Sequence, residues 1–230
     1  MNGLMVGEPC LVVFDCDGTL VDAQAGIIQA IHEAFAAAGL PAPGAEAIRR
    51  GVGLSLEVAI RRLAPEAGPD LVLRLADLYR EAFVALRQRP EYTEPLYPGA
   101  REALDQLNAW GVVLGVATGK GRRGLGLSLE RHGLVDRFTV LQTADDAAGK
   151  PAPDMLINAM AETGIGRERT LMIGDTTFDM LMAQAARVAA VGVSWGYHAP
   201  GELIAAGAAR VLDRFADLPP HVAALFALEG

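Results

Sequence analysis

The feature that most constrains the fold is an alternation of short apolar runs with segments of helical periodicity. In the second part of the chain, apolar residues recur at helical spacing over four segments, which predicts helices over 100–110, 122–132, 154–163 and 178–187. The apolar runs lie at 11–14, 112–117, 138–141, 170–173, 189–193 and 209–212. Strands separated by helices of this length form βαβ units, so the pattern predicts a parallel sheet.

The first apolar run is separated from the others by a long segment without any strand pattern. Helical spacing predicts helices over 23–38, over 56–63, and from residue 69 onward. We therefore predict an α/β protein: a parallel Rossmann-like sheet with helices on both faces, plus an all-helical cap domain inserted after the first strand. The predicted core takes residues 1–22 and 95–230, and the predicted cap takes residues 23–94.

Composition excludes several classes of protein. Acidic residues outnumber basic ones by 28 to 20, and no basic run exceeds two residues, so a general nucleic-acid binder is not expected. No apolar run reaches the roughly 18–20 residues that a membrane span needs. The two cysteines are too few to stabilise a chain of 230 residues by disulfides, which favours a reduced, cytoplasmic protein. The four histidines lie far apart and are interpreted as surface residues.

Polar side chains follow the predicted strands at the points where a ligand would bind. Ligands of an open parallel sheet bind beyond the carboxyl ends of the strands. The candidates at these strand ends are Asp15 and Asp17 after the first strand, Thr118 and Gly119 after the second strand, and Asp175 and Asp179 after the fourth strand. Lys150 is a further candidate, and it precedes the helix that leads to the fourth strand. These residue types suit a phosphate site that is local and organised, because a chain of net charge −8 repels phosphate at long range.

Asp15 and Asp17 lie two residues apart on an extended segment, so both side chains can point the same way. Two carboxylates at such a short distance repel each other unless a cation lies between them. Mg²⁺ is a suitable cation, because it favours carboxylate oxygens, waters and a substrate phosphate as ligands. Asp175 can supply a further ligand. With the phosphate so oriented, Asp15 could attack phosphorus and form an aspartyl-phosphate. Asp17 would protonate the leaving oxygen and later deprotonate the attacking water.

The other polar residues complete a phosphoryl-transfer site. Thr118 and nearby backbone N–H groups, including that of Gly119, could hold the phosphate oxygens. Lys150 adds the positive charge that the transition state requires. Asp179 lies one helical turn after Asp175 and could reach the metal through water or orient Lys150.

These motifs resemble those of the haloacid dehalogenase superfamily. They are Asp15-Cys16-Asp17-Gly18-Thr19, Thr118, Lys150 and Gly174-Asp175-Thr176-Thr177-Phe178-Asp179, in that order. The chain is most similar to the branch of phosphoglycolate phosphatases with a small helical cap. The resemblance implies a Mg²⁺-dependent phosphatase for a small phosphorylated metabolite, and it implies that the backbone carbonyl of Asp17 binds the metal. A sugar phosphomutase of the same superfamily is an alternative, and the oligomeric state is not predicted.

The predicted cap contains a basic, glycine-containing turn over residues 49–55. Resembling enzymes place such a turn over the metal site, so Arg49 or Arg50 is a candidate for binding a substrate carboxylate or a second phosphate by a bidentate contact. Lys120, two residues after Thr118, is a second candidate for substrate binding. A solvated helix end is an equally good interpretation of Arg49.

The competing hypothesis is a dinucleotide-binding oxidoreductase. Residues 119–124 spell G-x-G-x-x-G between a strand and a helix, and Asp145 follows at a distance suited to a ribose hydroxyl. However, Thr118 separates the strand from the motif and two arginines crowd the start of the helix. This hypothesis also leaves the four carboxylates and Lys150 unexplained.

Overall fold

The computed structural model of the protein describes residues 8–228. Its centre is a six-stranded sheet in the order β3-β2-β1-β4-β5-β6, and every neighbouring pair is parallel. The strands are β1 (Leu11–Phe14), β2 (Val113–Thr118), β3 (Val140–Thr143), β4 (Thr170–Gly174), β5 (Ala189–Val193) and β6 (Arg210–Leu212). This is the strand order of the Rossmann fold, so the predicted sheet is confirmed.

Ten α-helices accompany the sheet in the described part of the chain. They are α1 (Gln24–Ala37), α2 (Ala45–Arg49), α3 (Leu56–Leu63), α4 (Pro69–Arg87), α5 (Ala100–Ala109), α6 (Arg122–Arg131), α7 (Asp154–Thr163), α8 (Thr177–Ala186), α9 (Pro200–Ala205) and α10 (Leu218–Phe226). The sequence analysis assigns no helix to α2, α9 or α10. None of the described helices is both long and apolar enough to cross a bilayer.

The first strand shows why the sheet needs helices on both faces. Successive side chains of a strand point to opposite faces, and all four residues of β1 are fully buried. Val12 and Phe14 belong to one apolar cluster, whereas Leu11 and Val13 belong to a second cluster. The sheet therefore separates two cores, which confirms the predicted three-layer arrangement.

The sequence analysis places the start of strand β3 two residues before the start observed in the structure. The apolar run at 138–141 starts with Phe138, which packs edge-on against Phe14 at 6.3 Å between ring centroids. Phe138 is buried but precedes β3, so hydrophobicity alone placed the strand too early.

The helices α1–α4 lie between β1 and α5, as expected for an insertion after the first strand. The chain leaves and re-enters the sheet region at adjacent points, because Val21 pairs with Leu96 and the Asp22 N–H donates to the Pro95 carbonyl at 2.8 Å. The predicted boundaries, after residue 22 and before residue 95, lie next to these contacts, and the division into two domains stays a prediction. Apolar residues of α1, α3 and α4 join the same cluster as Val12, so the helices pack onto one side of the core.

Candidate active site

The sheet brings the two principal aspartate motifs together. Asp15 follows β1 and Asp175 follows β4, and these strands are neighbours at the centre of the sheet. The Asp15 N–H continues the ladder by donating to the Ile173 carbonyl at 2.9 Å. The strand order reverses direction at this pair, which is where an open α/β sheet leaves a crevice for ligand.

The loop after Asp15 turns tightly over the crevice. The Gly18 N–H donates to the Val21 carbonyl at 2.9 Å, and Gly18 has a φ of +90°. A Cβ at this position would lie 2.5 Å from the Tyr197 ring and even closer to the Asp175 carboxylate. Glycine is therefore required here both for its backbone conformation and for the close approach of the loop to Asp175.

Lys150 connects two of the buried carboxylates. Its Nζ lies 2.9 Å from Asp15 Oδ1 and 2.5 Å from Asp179 Oδ1, and all three side chains are almost completely buried. Burial alone would lower the pKa of Lys150, but the two carboxylates outweigh it and raise the pKa above its ordinary value. Lys150 is therefore a fixed ammonium behind Asp15, and the predicted orienting role of Asp179 agrees with these contacts.

Asp179 is itself held by the start of helix α8. Thr176 donates to Asp179 Oδ2 from its backbone N–H at 3.0 Å and from its hydroxyl at 2.7 Å. This is a capping box, in which the N-cap residue just before the helix and the third residue of the helix bond to each other. The same bonds that begin α8 thus aim Asp179 at Lys150.

Asp175 is held by two donors that the sequence analysis does not assign. Thr19 donates its hydroxyl to Asp175 Oδ1 at 2.8 Å, and the Tyr197 N–H donates to Asp175 Oδ2 at 2.9 Å. The next residue, His198, is buried, so its interpretation as a surface residue is wrong. Its Nδ1 accepts a hydrogen bond from the Thr177 N–H at 3.1 Å, which fixes the loop beside Asp175.

Three carboxylates form a cluster suited to a divalent metal. One oxygen from each of Asp15, Asp175 and Asp179 lies within 4.8 Å of the others, and all three residues are buried. Burial raises the pKa of Asp15 to about 7 despite the opposing charge of Lys150, and burial also raises the pKa of Asp175 well above its usual range.

The charge balance of this cluster agrees with a cation. Three carboxylates and the ammonium of Lys150 leave a formal charge of −2 in a buried space. Asp15 Oδ2 is buried without a hydrogen-bond partner in the described part of the chain. Because an unpartnered buried carboxylate oxygen is costly, the donor set fits a divalent ion that prefers oxygen ligands.

Asp17 belongs to a different charge network. Its Oδ1 lies 2.9 Å from Lys120 Nζ, and Lys120 Nζ lies 3.4 Å from Glu94 Oε1. Burial raises the pKa of Asp17, while Lys120 opposes this shift. The Asp17 carboxylate is not part of the three-carboxylate cluster, so its predicted metal contact would be through its backbone carbonyl.

Glu94 is a residue that the sequence analysis does not single out. It is buried and receives hydrogen bonds from Ser128 at 3.1 Å and from Arg87 at 3.3 Å, in addition to its ion pair with Lys120. Arg87 lies at the end of α4 and Ser128 lies in α6, so Glu94 ties the inserted helices to the core. Glu94 is a single acidic residue beside a proline, and nothing in the local sequence indicates that it has these three partners.

A cavity of about 560 Å³ lies between the inserted helices and the carboxyl ends of the strands. Five of the predicted residues line it: Asp15, Asp17, Thr118, Gly119 and Lys120. Lys150, Asp175 and Asp179 do not line it, but they lie close to Asp15 and form a charged layer next to that residue. The predicted residues other than Arg49 thus lie together around Asp15, five of them facing the cavity and three of them in the charged layer.

Arg49 lies apart from this site. Its Nε is 3.3 Å from Glu46 Oε2, and the residue is not among those that line the cavity, although Ile48 and Gly51 are. The basic turn does approach the site, but it does so through the backbone of Gly53 and Leu54. A substrate-binding role for Arg49 stays a prediction without support from these contacts.

The G-x-G-x-x-G segment does not form a dinucleotide site. Asp145 Oδ2 accepts the Arg122 N–H at 2.8 Å at the start of α6, so a carboxylate already occupies the helix end that would face a pyrophosphate. Gly119 faces the carbonyl oxygens of Gly53 and Leu54. The oxidoreductase hypothesis therefore loses its structural basis.

Comparisons with known proteins agree with this site. A family model of haloacid dehalogenase-like hydrolases matches residues 12–193. The chain belongs to this family. A curated relative, "Probable phosphatase IndB" of Dickeya dadantii, is 36% identical over 221 residues, which cover 96% of each chain. The phosphoglycolate phosphatase of Yersinia pseudotuberculosis is 34% identical over 214 residues, which cover 92% of each chain.

A solved structure shows the same fold at high coverage. A hydrolase from Pseudomonas syringae superimposes with a TM-score of 0.82 at 30% identity, covering 93% of this chain and 97% of its own. The expected enzyme class, a phosphoric monoester hydrolase, is confirmed by the family and by these relatives.

Proposed function

We propose that this haloacid dehalogenase-like phosphatase hydrolyses a small phosphate monoester through an aspartyl-phosphate on Asp15, with Mg²⁺ as its cofactor. The observation that carries the proposal is the placement of Asp15 between the cavity and the charged layer. One of its oxygens contacts Lys150, and the other is buried without a partner. A carboxylate that is held by Lys150 and lines the cavity can place an oxygen next to the phosphorus of a bound substrate.

In the first step, an Asp15 oxygen forms a bond to phosphorus as the ester P–O bond breaks. The leaving alkoxide takes a proton from Asp17, which lines the same cavity two residues away. In the second step, Asp17 accepts a proton from water as that water attacks phosphorus. The bond to Asp15 breaks, inorganic phosphate forms, and both aspartates return to their starting states.

Three other residues serve the transferring phosphoryl group. Lys150 holds Asp15 in position and places a positive charge beside the developing negative charge. Thr118 ends β2 and lines the cavity with Gly119, so the Thr118 hydroxyl and the Gly119 N–H are the donors proposed for the phosphate oxygens. These donors are fixed by the sheet, so they need little rearrangement during the reaction.

Asp15, Asp175 and Asp179, with the Asp17 backbone carbonyl, are the groups proposed to hold Mg²⁺. The bound ion would neutralise the formal charge of −2 and reduce repulsion between Asp15 and an incoming phosphate. The hard oxygen donors favour Mg²⁺ over softer metals.

The names of the relatives support phosphoglycolate as a first substrate to test, since several curated relatives are phosphoglycolate phosphatases. A cytoplasmic location stays a prediction from composition. A phosphatase releases inorganic phosphate, whereas the alternative, a sugar phosphomutase, would return the phosphoryl group to the substrate as an isomer.

A pair of conservative variants tests the proposal. Asp15→Asn should abolish phosphate release in the presence of Mg²⁺ while thermal unfolding stays cooperative, because the change replaces one oxygen by nitrogen at similar volume. Asp17→Asn should slow hydrolysis of the phospho-enzyme, so mass spectrometry should show a phosphoryl adduct on the trapped protein. Normal turnover by Asp15→Asn would refute the nucleophile assignment. Removal of divalent ions by EDTA should stop the parent enzyme, and added Mg²⁺ should restore it.

A further inference from the structure

The cavity is larger than the substrate that the relatives suggest. Its volume is about 560 Å³, which is in the range of pockets for ligands much larger than a two-carbon acid. Phosphoglycolate has about nine non-hydrogen atoms, which fill about 270 Å³ even if each takes the roughly 30 Å³ of a water molecule in the liquid. About half of the cavity would therefore stay empty around that substrate.

The remaining space is lined mainly by apolar side chains. Ile27 and Ile31 of α1 and Phe83 of α4 face the cavity from the inserted helices. Val84 of α4 and Leu127 of α6 line the edge of the cavity, and these residues are 36% and 39% exposed, respectively. Exposed apolar side chains on both sides of one opening favour an apolar ligand, because a ligand that covers them removes apolar surface from water.

The buried cations of the cavity are already paired with acids. Lys120 lies 2.9 Å from Asp17, and Arg87 lies 3.3 Å from Glu94. Arg80, at the surface, lies 2.5 Å from Glu57. A substrate carboxylate would have to displace one of these partners.

Arg123 is the exception among the basic residues that line the cavity. It forms no ion pair with any residue in 8–228, but it is exposed at the start of α6. A contact there is screened by solvent and adds little to binding. Among the residues that the structure describes, the cavity therefore offers a substrate carboxylate no buried, unpaired cation.

We propose that the preferred substrates are phosphate monoesters whose alcohol carries an aryl or branched-alkyl group, which occupies the apolar part of the cavity. This inference rests on the proposed phosphatase function and adds the chemical class of the leaving group. The chemistry at phosphorus is unchanged: Asp15 attacks, and the alcohol leaves with a proton from Asp17. Selection comes from burial of the apolar group against the inserted helices.

A matched series of esters tests the proposal. Ethyl phosphate, 2-phenylethyl phosphate and phosphoglycolate all release a primary alcohol, so differences in kcat/KM report chiefly on binding of the leaving group. Phosphate release in the presence of Mg²⁺ should give a kcat/KM for 2-phenylethyl phosphate at least about tenfold above that for ethyl phosphate. Phosphoglycolate should not exceed ethyl phosphate.

Two variants test whether the apolar edge of the cavity produces the selectivity between these esters. Leu127→Gln places a polar group at the cavity edge and should lower the ratio of kcat/KM for 2-phenylethyl phosphate to that for ethyl phosphate by about threefold or more. Leu73→Gln is the matched control, because Leu73 is 56% exposed on α4 and does not line the cavity. It should leave the ratio unchanged.

The outcomes separate the two proposals. Equal kcat/KM values across the series, or a preference for phosphoglycolate, would overturn the apolar class while the phosphatase function stands. Equal effects of the two glutamine variants on the ratio would also overturn it. If the enzyme releases no phosphate from any of the esters, nor from the reactive p-nitrophenyl phosphate, the proposed function fails and this inference fails with it.

Discussion

Replacing Gly119 by alanine tests whether the loop at Gly53 and Leu54, between α2 and α3, must lie against the carboxyl end of β2, where phosphate is proposed to bind. A Cβ at residue 119 would lie 2.6 Å from the Gly53 carbonyl oxygen and closer still to that of Leu54. Both obstacles are backbone atoms, which cannot rotate away as a side chain could. The backbone of Gly119 does not have positive φ, so alanine introduces no backbone strain of its own. Alanine also keeps the N–H proposed to bind phosphate.

The size of the effect follows from this geometry. An ordinary van der Waals contact for a Cβ is 3.4 Å or more, so the loop at Gly53 and Leu54 must retreat by about 1 Å. Overpacking of this kind costs about 1–3 kcal/mol. Because the clash is confined to the contact between this loop and residue 119, we expect the cost to fall on the arrangement that encloses the substrate rather than on folding. Since each 1.36 kcal/mol is a factor of ten, kcat/KM should fall by about 5- to 150-fold.

The assay is steady-state phosphate release, combined with urea unfolding of the same samples. Gly126→Ala is the matched control: Gly126 lies in helix α6, and apart from its chain neighbours and its own helix backbone no atom of residues 8–228 lies within 4 Å of its ideal Cβ. This control should keep full activity and gain about 0.5–1 kcal/mol in free energy of unfolding. A Gly119→Ala enzyme with the activity of the parent would refute the argument, since the loop would then have no need to approach residue 119.

The remaining predictions concern two buried acids. Thr176→Val removes the hydroxyl that donates to Asp179 and should lower the free energy of unfolding by about 1–2 kcal/mol in urea; an unchanged value would contradict the role of the capping box. Glu94→Gln should lower it by about 3 kcal/mol at neutral pH, since it leaves Lys120 and Arg87 without their shared acid. Burial alone would raise the pKa of Glu94, but the two cations outweigh it and lower the pKa. The stabilisation is therefore present above the ordinary pKa of about 4.3 and is lost as pH falls below it. Urea unfolding of the parent and of Glu94→Gln at several pH values checks this prediction. A difference in the free energy of unfolding between the two proteins that grows toward acidic pH would contradict it.

Segments with strong local patterns were predictable. The bounds of α3, α7 and β5 match the predicted ones, because α3 and α7 have a clear helical period and β5 is a short apolar run. Short or weakly periodic elements were not predictable. Helices α2 and α9 have five and six residues, too few for a helical period to show. Such helices form because the tertiary structure buries one or two of their side chains, such as Ile48 and Leu203.

The site shows the same division between local and long-range information. Motif order predicted that Asp15, Thr118, Lys150 and Asp175 would converge, and the parallel sheet brings their strand ends to one edge. The partner of the Asp17 carboxylate could not be predicted, because Lys120 follows a different strand and reaches Asp17 only when β1 and β2 pair.

The sequence by itself determined the strands, most of the helices and the set of polar groups at the carboxyl edge of the sheet, because these depend on local periodicity and on the rule that parallel strand ends align. The tertiary structure alone decided which charges pair, how closely the Gly53–Leu54 backbone approaches Gly119, and how much apolar space remains above Asp15. Those properties depend on distances between residues far apart in the chain. Only the packing of the inserted helices against the sheet sets those distances.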